Sequence, residues 1–320
     1  MRKYYIHIYL FFCCWNLSAQ QTTQYTQFTF NKYGYNPAAA GTSFKSPFEI
    51  IIGTKRQWLD IDNAPKTNFF GFNYTFIPKR SYRKWHNIGA YVDQDQSGVF
   101  ASNSFLVSYT FHLLLTKKLT ASFGVFAGVR RFFISLNSLN ISDPAVANSA
   151  SKLTAYPDII PGFRLYSKKF FFDVSLHQIT TPKQANSKKE IGLNSKVVPH
   201  IYTSVGFKIF FDNNFSLVPS LNMHTTLTYI PVFQGNIMLN YGTRFGIGLT
   251  VTDKDFAGAI FQIRFLKNAT VGIAYEYSIN RLRVAAPNTF EFMMGIIPIF
   301  DSKDRYGKSS NVAKCPILEF

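Results

Sequence analysis

The stretch ATVGIAYEYSI, from Ala269 to Ile279, decides how this chain folds. Val271, Ile273, Tyr275, Tyr277 and Ile279 fall on one face of an extended chain, and Thr270, Gly272, Ala274, Glu276 and Ser278 on the other. A period of two is the signature of a strand. The same alternation runs through Phe245–Thr252, where Phe245, Ile247, Leu249 and Val251 oppose Gly246, Gly248, Thr250 and Thr252. It recurs in Leu119–Arg130, with Phe123, Val125 and Val129 set against Ser122, Gly124 and Arg130. One face is bulky and apolar, and the other is small or polar. A soluble barrel would turn the bulky face inward and need a very large core. A membrane barrel turns it to lipid and lines its lumen with the small polar face.

Working outward, strands are expected near 47–58, 66–77, 85–94, 103–115, 119–134, 158–166, 169–177, 200–211, 215–226, 230–240, 243–251, 256–265, 269–279 and 288–300. That makes fourteen, an even number as single-chain bacterial outer-membrane barrels require. The fold expected is therefore all-β, a transmembrane antiparallel β-barrel of about 14 strands. Every second connection is short, as at 116–118, 167–168, 212–214, 240–242 and 266–268, with 77–84 a longer exception. The alternate connections include the long ones, 135–157 and 178–199, with 59–65, 94–102 and 280–287. Short periplasmic turns and longer outer loops are the rule in such barrels, and this register puts both termini in the periplasm. Pro161, Pro219, Pro231 and Pro298 interrupt or border the expected strands. A closed barrel has no free edge to excuse a missing N–H, so they should mark bulges or strand ends. Pro219 is the most awkward and could mean a shorter strand.

Composition agrees. The 320 residues are 47% hydrophobic and 17% aromatic, with 34 Phe and 18 Tyr, but only 16% charged. Low charge and many aromatics argue against disorder and fit a charge-rich soluble enzyme poorly. No run of about 18 consecutive apolar residues suggests a spanning helix. The beginning, MRKYYIHIYLFFCCWNLSAQ, has Arg2 and Lys3, a short apolar core and then Ser18-Ala19, the layout of a secretory signal cut after Ala19. Bulky Phe12 ahead of Cys13 argues against a lipoprotein. The organisation expected is a signal peptide at 1–19, an N-terminal periplasmic or plug segment at 20–46, the barrel at 47–300 and a periplasmic tail at 301–320. Phe300 would close the last strand.

Cleavage there would remove Arg2, Lys3, Cys13 and Cys14, lowering the formal charge from +17 to +15 and leaving Cys315 as the single cysteine, which would exclude an internal disulfide and a cysteine metal site. The excess charge gathers on the expected periplasmic turns, at Lys79, Arg80, Arg83, Lys84, Lys117, Lys118, Lys168, Lys169 and Lys267, against Asp212 alone. Such a rim could meet anionic membrane lipids or an acidic periplasmic partner. Lys79, Arg80, Arg83 and Lys84 are the candidate partner-binding rim. The bland alternative is a solvated rim. No nucleic acid is expected as a partner, because the aromatics sit on the lipid face and not among the bases.

Nothing points to catalysis. The histidines beyond the expected signal, His86, His112, His177, His200 and His224, lack metal-ligand spacing, and no GxSxG elbow is present. DQDQSG, Asp93–Gly98, faintly suggests a Ca²⁺ loop but lacks the later bidentate Glu, so its acids read as solvated loop acids. No cofactor, metal or catalytic residue is expected, and the chain is read as not an enzyme.

YTQFTFNKYGYNPAAAGTS, Tyr25–Ser43, resembles the opening of the PorP/SprF family of type IX secretion system proteins from the Bacteroidetes. A Q-Y-x-F-N element corresponds to Gln27–Asn31, with Phe28 in the tyrosine position, and N-P-A-x-A-G to Asn36–Gly41. KRQWLDIDNAPKT, Lys55–Thr67, is similar to the family's R-x-Q-W…G-x-P-x-T stretch, with Asn63-Ala64 for Gly-Ala. Asn31, Asn36, Pro37, Gly41, Gln57, Trp58 and Pro65 carry the resemblance. It implies an outer-membrane barrel, linked to gliding motility, that helps export or anchor a secreted adhesin with a type IX sorting domain, alongside other periplasmic secretion components. The alternative is a channel for small or hydrophobic solutes, of the size of fatty-acid transporters. The two longest outer loops are where binding is expected, since long loops on a rigid scaffold commonly carry it.

Overall fold

A computed structural model describes residues 24–42, 46–76, 83–98, 100–134, 152–180, 198–211, 214–226, 230–242, 244–253, 255–265, 268–285 and 287–297. The strands between Phe48 and Ile296 form one antiparallel sheet closed on itself. In chain order its strands are β1 (Phe48–Arg56), β2 (Lys66–Phe76), β3 (Lys84–Ser97), β4 (Phe100–Leu114), β5 (Thr120–Ile134), β6 (Lys152–Tyr166), β7 (Phe170–His177), β8 (His200–Phe207), β9 (Ile209–Phe210), β10 (Phe215–Thr226), β11 (Val232–Tyr241), β12 (Phe245–Thr252), β13 (Phe256–Phe265), β14 (Ala269–Ser278) and β15 (Asn288–Ile296). β8 and β9 are one wall strand parted at Lys208, so the barrel has fourteen strands. Each strand pairs with its sequence neighbours, and β1 pairs with β15 to close the ring.

The alternation sets which side chain meets lipid. In β12, Ile247, Leu249 and Val251 are exposed outward while Thr250 and Thr252 are buried. In β14, Ile273 and Tyr277 are exposed while Thr270, Glu276 and Ser278 are buried. With no edge left open, every wall strand can satisfy its backbone groups through its neighbours, as a chain in hydrocarbon must.

The structure shifts several expected boundaries. β3 and β4 run on into the expected loop at 94–102, β3 to Ser97 and β4 from Phe100. The acids of DQDQSG alternate with glutamines because they lie on a strand: Asp93 accepts from Ser104 and pairs with Arg130, and Asp95 accepts from Thr67 at 2.6 Å. They face the lumen and are not solvated loop acids. β6 starts at Lys152, six residues earlier than expected, and absorbs Pro157 and Pro161. All fifteen of its residues pair with β5, but only Gly162–Tyr166 pair with β7. β7 ends at His177, so the upper part of β6 has no β7 partner, and Pro161 has no N–H to extend the ladder; the Thr180 hydroxyl donates to the Pro157 carbonyl at 2.5 Å. Pro219 does not shorten β10, which is continuous; the break falls on its neighbour at Lys208. Pro231 precedes β11. Pro298, Phe300 and most of the two longest loops lie outside the described residues.

Candidate functional site

The lumen is the place where polar side chains converge, and residues 24–42 run through it. Gln24 sits near the outer ends of β1, β10 and β14: its carbonyl accepts from Lys55 Nζ at 2.9 Å, and its amide donates to His224 Nδ1 at 3.2 Å. The segment then descends to the short-turn end, where the Gly41 carbonyl accepts from Trp85 Nε1 at the foot of β3. Gln24 is thus in the outer half of the lumen. The reason is the polar inner wall, which offers partners to a chain threaded along it.

Local sequence shapes the segment. The Asn31 side chain caps a single helical turn, α1 (Lys32–Tyr35), by accepting from the Gly34 N–H at 3.0 Å. Asn36 caps the next turn, a 3-10 turn at Pro37–Ala39, by accepting from the Ala38 N–H at 2.9 Å. Proline suits the first position of such a turn, because its missing N–H would have had no partner there. Gly41 follows with φ of +70°, a conformation that glycine adopts without strain.

The wall answers this chain group by group. Glu291 is 1% exposed, and its two oxygens accept the Thr26 and Gln27 N–H groups at 2.8 and 2.9 Å. Gln234 donates to the Tyr25 and Thr26 carbonyls, and Asn236 donates to that of Thr26. Lower down, Thr110 donates to the Pro37 carbonyl at 2.8 Å and Ser122 to that of Ala38 at 2.7 Å. His112 Nε2 donates to the Ala40 carbonyl at 2.8 Å, leaving Nδ1 to accept from the Tyr166 hydroxyl. A buried backbone must find such partners or be destabilised by the groups left unpaired. Around them Tyr25, Phe28, Tyr33, Tyr35, Phe69, Tyr91, Phe126 and Tyr202 form one aromatic core inside the barrel.

Gly124 of β5 and Gly162 of β6 pair across the wall. A Cβ on Gly124 would lie 2.4 Å from the Ala38 nitrogen, and one on Gly162 would lie 2.0 Å from Asn36 Oδ1. The two glycines make a notch in which Asn36-Pro37-Ala38 rests on bare backbone. Asn36 Nδ2 also donates to the Phe163 carbonyl at 2.9 Å, beside the buried Arg164–Asp173 pair.

Of the residues singled out by sequence, Asn31, Asn36, Pro37 and Gly41 come together in the lumen. Gln57, Trp58 and Pro65 lie apart from them, in the outer β1–β2 connection. There the Gln57 N–H donates to the Pro65 carbonyl at 2.9 Å, and that of Trp58 to Thr289 Oγ1 at 3.3 Å. Trp58 and Asn63 adopt left-handed φ of 49° and 58°. Arg83 and Lys84 are exposed at the foot of β3, whereas Lys79 and Arg80 lie outside the described residues. Sequence reading missed Glu291, Gln234, Asn236 and the buried Lys55–Glu276 pair at 3.0 Å. Their one signal was a charged or amide group on the lumen parity of a strand. It also missed that β7, β8 and β10 bring His177, His200 and His224 side by side, with His200 Nδ1 2.7 Å from His224 Nε2. No group of three or more His, Cys, Asp or Glu is arranged to hold a metal among the described residues.

A family model described as type IX secretion system membrane protein PorP/SprF matches residues 17–296, which includes both the threaded segment and the whole barrel. This chain belongs to the PorP/SprF family. No curated relative matches the sequence. Among solved structures, the TodX deltaS2S3 mutant monoaromatic hydrocarbon channel superposes with a TM-score of 0.52 at 10% identity, over 83% of this chain and 93% of that one. The toluene transporter TbuX of Ralstonia pickettii gives 0.52 at 8% identity, over 85% and 92%. These likenesses show the fold alone. Family and fold together make this PorP/SprF protein an outer-membrane β-barrel of the type IX secretion system.

Proposed function

We propose that this PorP/SprF protein is a closed barrel that aids export or surface anchoring of a partner adhesin carrying a type IX sorting domain. The observation that carries the reading is the filled lumen. A segment whose backbone is bonded to the wall from Gln24 to Gly41 leaves the barrel as a scaffold, not as an open pore. That supports a holding role over a channel for small or hydrophobic solutes, and over catalysis.

On this reading the outer loops meet the adhesin, and the basic rim of Lys79, Arg80, Arg83 and Lys84 meets other secretion components in the periplasm. A signal peptide at 1–19 and a periplasmic tail at 301–320 complete the proposed organisation. Deleting the gene should remove one or a few adhesins from the cell surface, read by surface proteomics, with nutrient uptake unchanged. An unchanged surface together with a lost uptake activity would overturn the proposal. Charge reversal at Arg83 and Lys84 should weaken co-purification of periplasmic partners, more so at low salt, because salt screens exposed charges.

A further inference from the structure

The outward face of the wall changes character on one side of the barrel. Ile52, Phe70, Val92, Phe105 and Val129, on β1 to β5, are exposed, and each pairs with the next across the register. Two residues nearer the outer ends, the same register carries Thr54, Asn68, Gln94, Asn103 and Arg131. Two residues beyond those, Arg56 pairs with Lys66 and Lys66 with Gln96. A step of two keeps a side chain on its face of the strand. These groups are therefore outward, while Lys55, Thr67 and Asp95 alternate with them on the lumen side.

The patch is local and its charge is of one sign. At the outer ends of other strands the outward side chains stay apolar, as the exposed Leu176, Phe233, Val251 and Tyr277 show. Among the described residues no wall strand carries a carboxylate on its outward face; Glu49, Asp93, Glu276 and Glu291 are all turned inward. Arg56, Lys66 and Arg131 make no ion pair among those residues. Asp60 and Asp62 lie beyond them in the β1–β2 connection, where Asp60 accepts from Asn288 at 3.0 Å. Thr54 donates to Asn68 Oδ1 at 2.8 Å, which keeps the Asn68 amide nitrogen as a donor beside the exposed Gln94, Gln96 and Asn103. On β5, Arg131 stands between the exposed Val129 and Phe133, so apolar wall flanks it on both sides.

We propose that this side of the barrel binds a phosphate-bearing glycolipid of the outer leaflet. The patch is continuous with the lipid-facing wall, so the ligand keeps its acyl chains on that wall and its headgroup on the polar rows. Cations on an outward face are tolerated near the membrane interface and not at the midplane, which sets the patch at headgroup depth. Side-chain amides both donate and accept, as a sugar's hydroxyls require. Lysine and arginine form charge-assisted hydrogen bonds with phosphate, and arginine can do so with two parallel bonds. Arg56 with Lys66 at one end and Arg131 at the other bracket the amides, so the saccharide lies between phosphate sites. A phospholipid with a small headgroup leaves the amides unused and fits less well.

The test uses the full-length protein, folded in detergent and offered equal amounts of diphosphoryl lipid A, its dephosphorylated form and phosphatidylglycerol. Native mass spectrometry should find diphosphoryl lipid A retained over the dephosphorylated form by roughly tenfold or more, as three bases near an anionic headgroup imply. It should also be retained over phosphatidylglycerol. The triple variant Arg56→Gln, Lys66→Gln, Arg131→Gln should bring the two forms of lipid A near parity, while Lys117→Gln with Lys118→Gln at the opposite end should leave the preference in place. Equal retention of the two forms by the unaltered protein, or equal loss of preference in both variants, would overturn the site. Phosphatidylglycerol retained as well as lipid A would overturn the glycolipid and leave only a general anionic belt. Should the triple variant not fold, judged by heat-dependent gel migration, the unaltered protein still decides: its preference must weaken with added salt, and a salt-independent preference counts against the three bases. No secreted partner is present, so a negative result here leaves the proposed export role untouched.

Discussion

The outer and inner surfaces of this barrel are built from the same strands under different demands. Outward, Ile247, Leu249, Phe261, Ile273 and Phe292 need only be apolar, and what they touch is fluid. Inward, Glu291, Gln234, Ser122 and His112 each meet a particular backbone group of a single threaded segment. The outer surface should therefore tolerate changes of shape and reject charge. The inner surface should reject the loss of one atom. A period of two can specify the first requirement but not the second.

The sharpest way to break this contrast is at the glycine notch. Gly124→Val together with Gly162→Val puts side-chain atoms where the backbone of Pro37-Ala38 and the Asn36 side chain lie, so the lower half of the segment must leave its bed. Lys32, 7% exposed in the intact protein, should then become a trypsin site. Resistance at Lys32 in the folded variant would mean that the notch is not what seats the segment.

Next in size is Lys55→Met, which leaves Glu276 buried without its cation and should cost about 3–5 kcal/mol of unfolding free energy in urea titrations. Adding Glu276→Leu should restore much of it. On the lipid side, Leu249→Arg should cost roughly 2–4 kcal/mol if the residue lies near the bilayer midplane, while Leu249→Phe should be close to neutral. If both are equally harmful, the outer wall is not facing lipid.

The smallest effect expected is Ser122→Ala, which removes the hydrogen bond to the Ala38 carbonyl at a cost of about 0.5–1.5 kcal/mol. Its contrast is Phe123→Leu, one residue along on the outer face and expected to be milder still. A reversal of that order would show that the segment is only loosely held.

How far sequence carried the reading follows the same division. ATVGIAYEYSI, the even strand count and the alternation of short and long connections made the barrel legible, because lipid asks for nothing beyond period and length. Asn36, Pro37 and Gly41 stood out through family resemblance. Their bed on Gly124 and Gly162 did not, since a glycine on the small face of a strand looks like any other. Glu291 and Glu276 were hidden for a different reason. Each finds its partner more than two hundred residues away in sequence, across a lumen whose filling no local pattern reveals. Pro157 misled the reading of where β6 begins, because proline removes one ladder bond without preventing pairing on the other side.

Planar-bilayer conductance tests most directly whether this is a filled scaffold and not a pore. The intact protein should insert without discrete current steps, and a variant lacking residues 24–42, confirmed as folded by its heat-dependent gel migration, should show them. Steps of equal size from the intact protein would contradict a lumen closed by that segment.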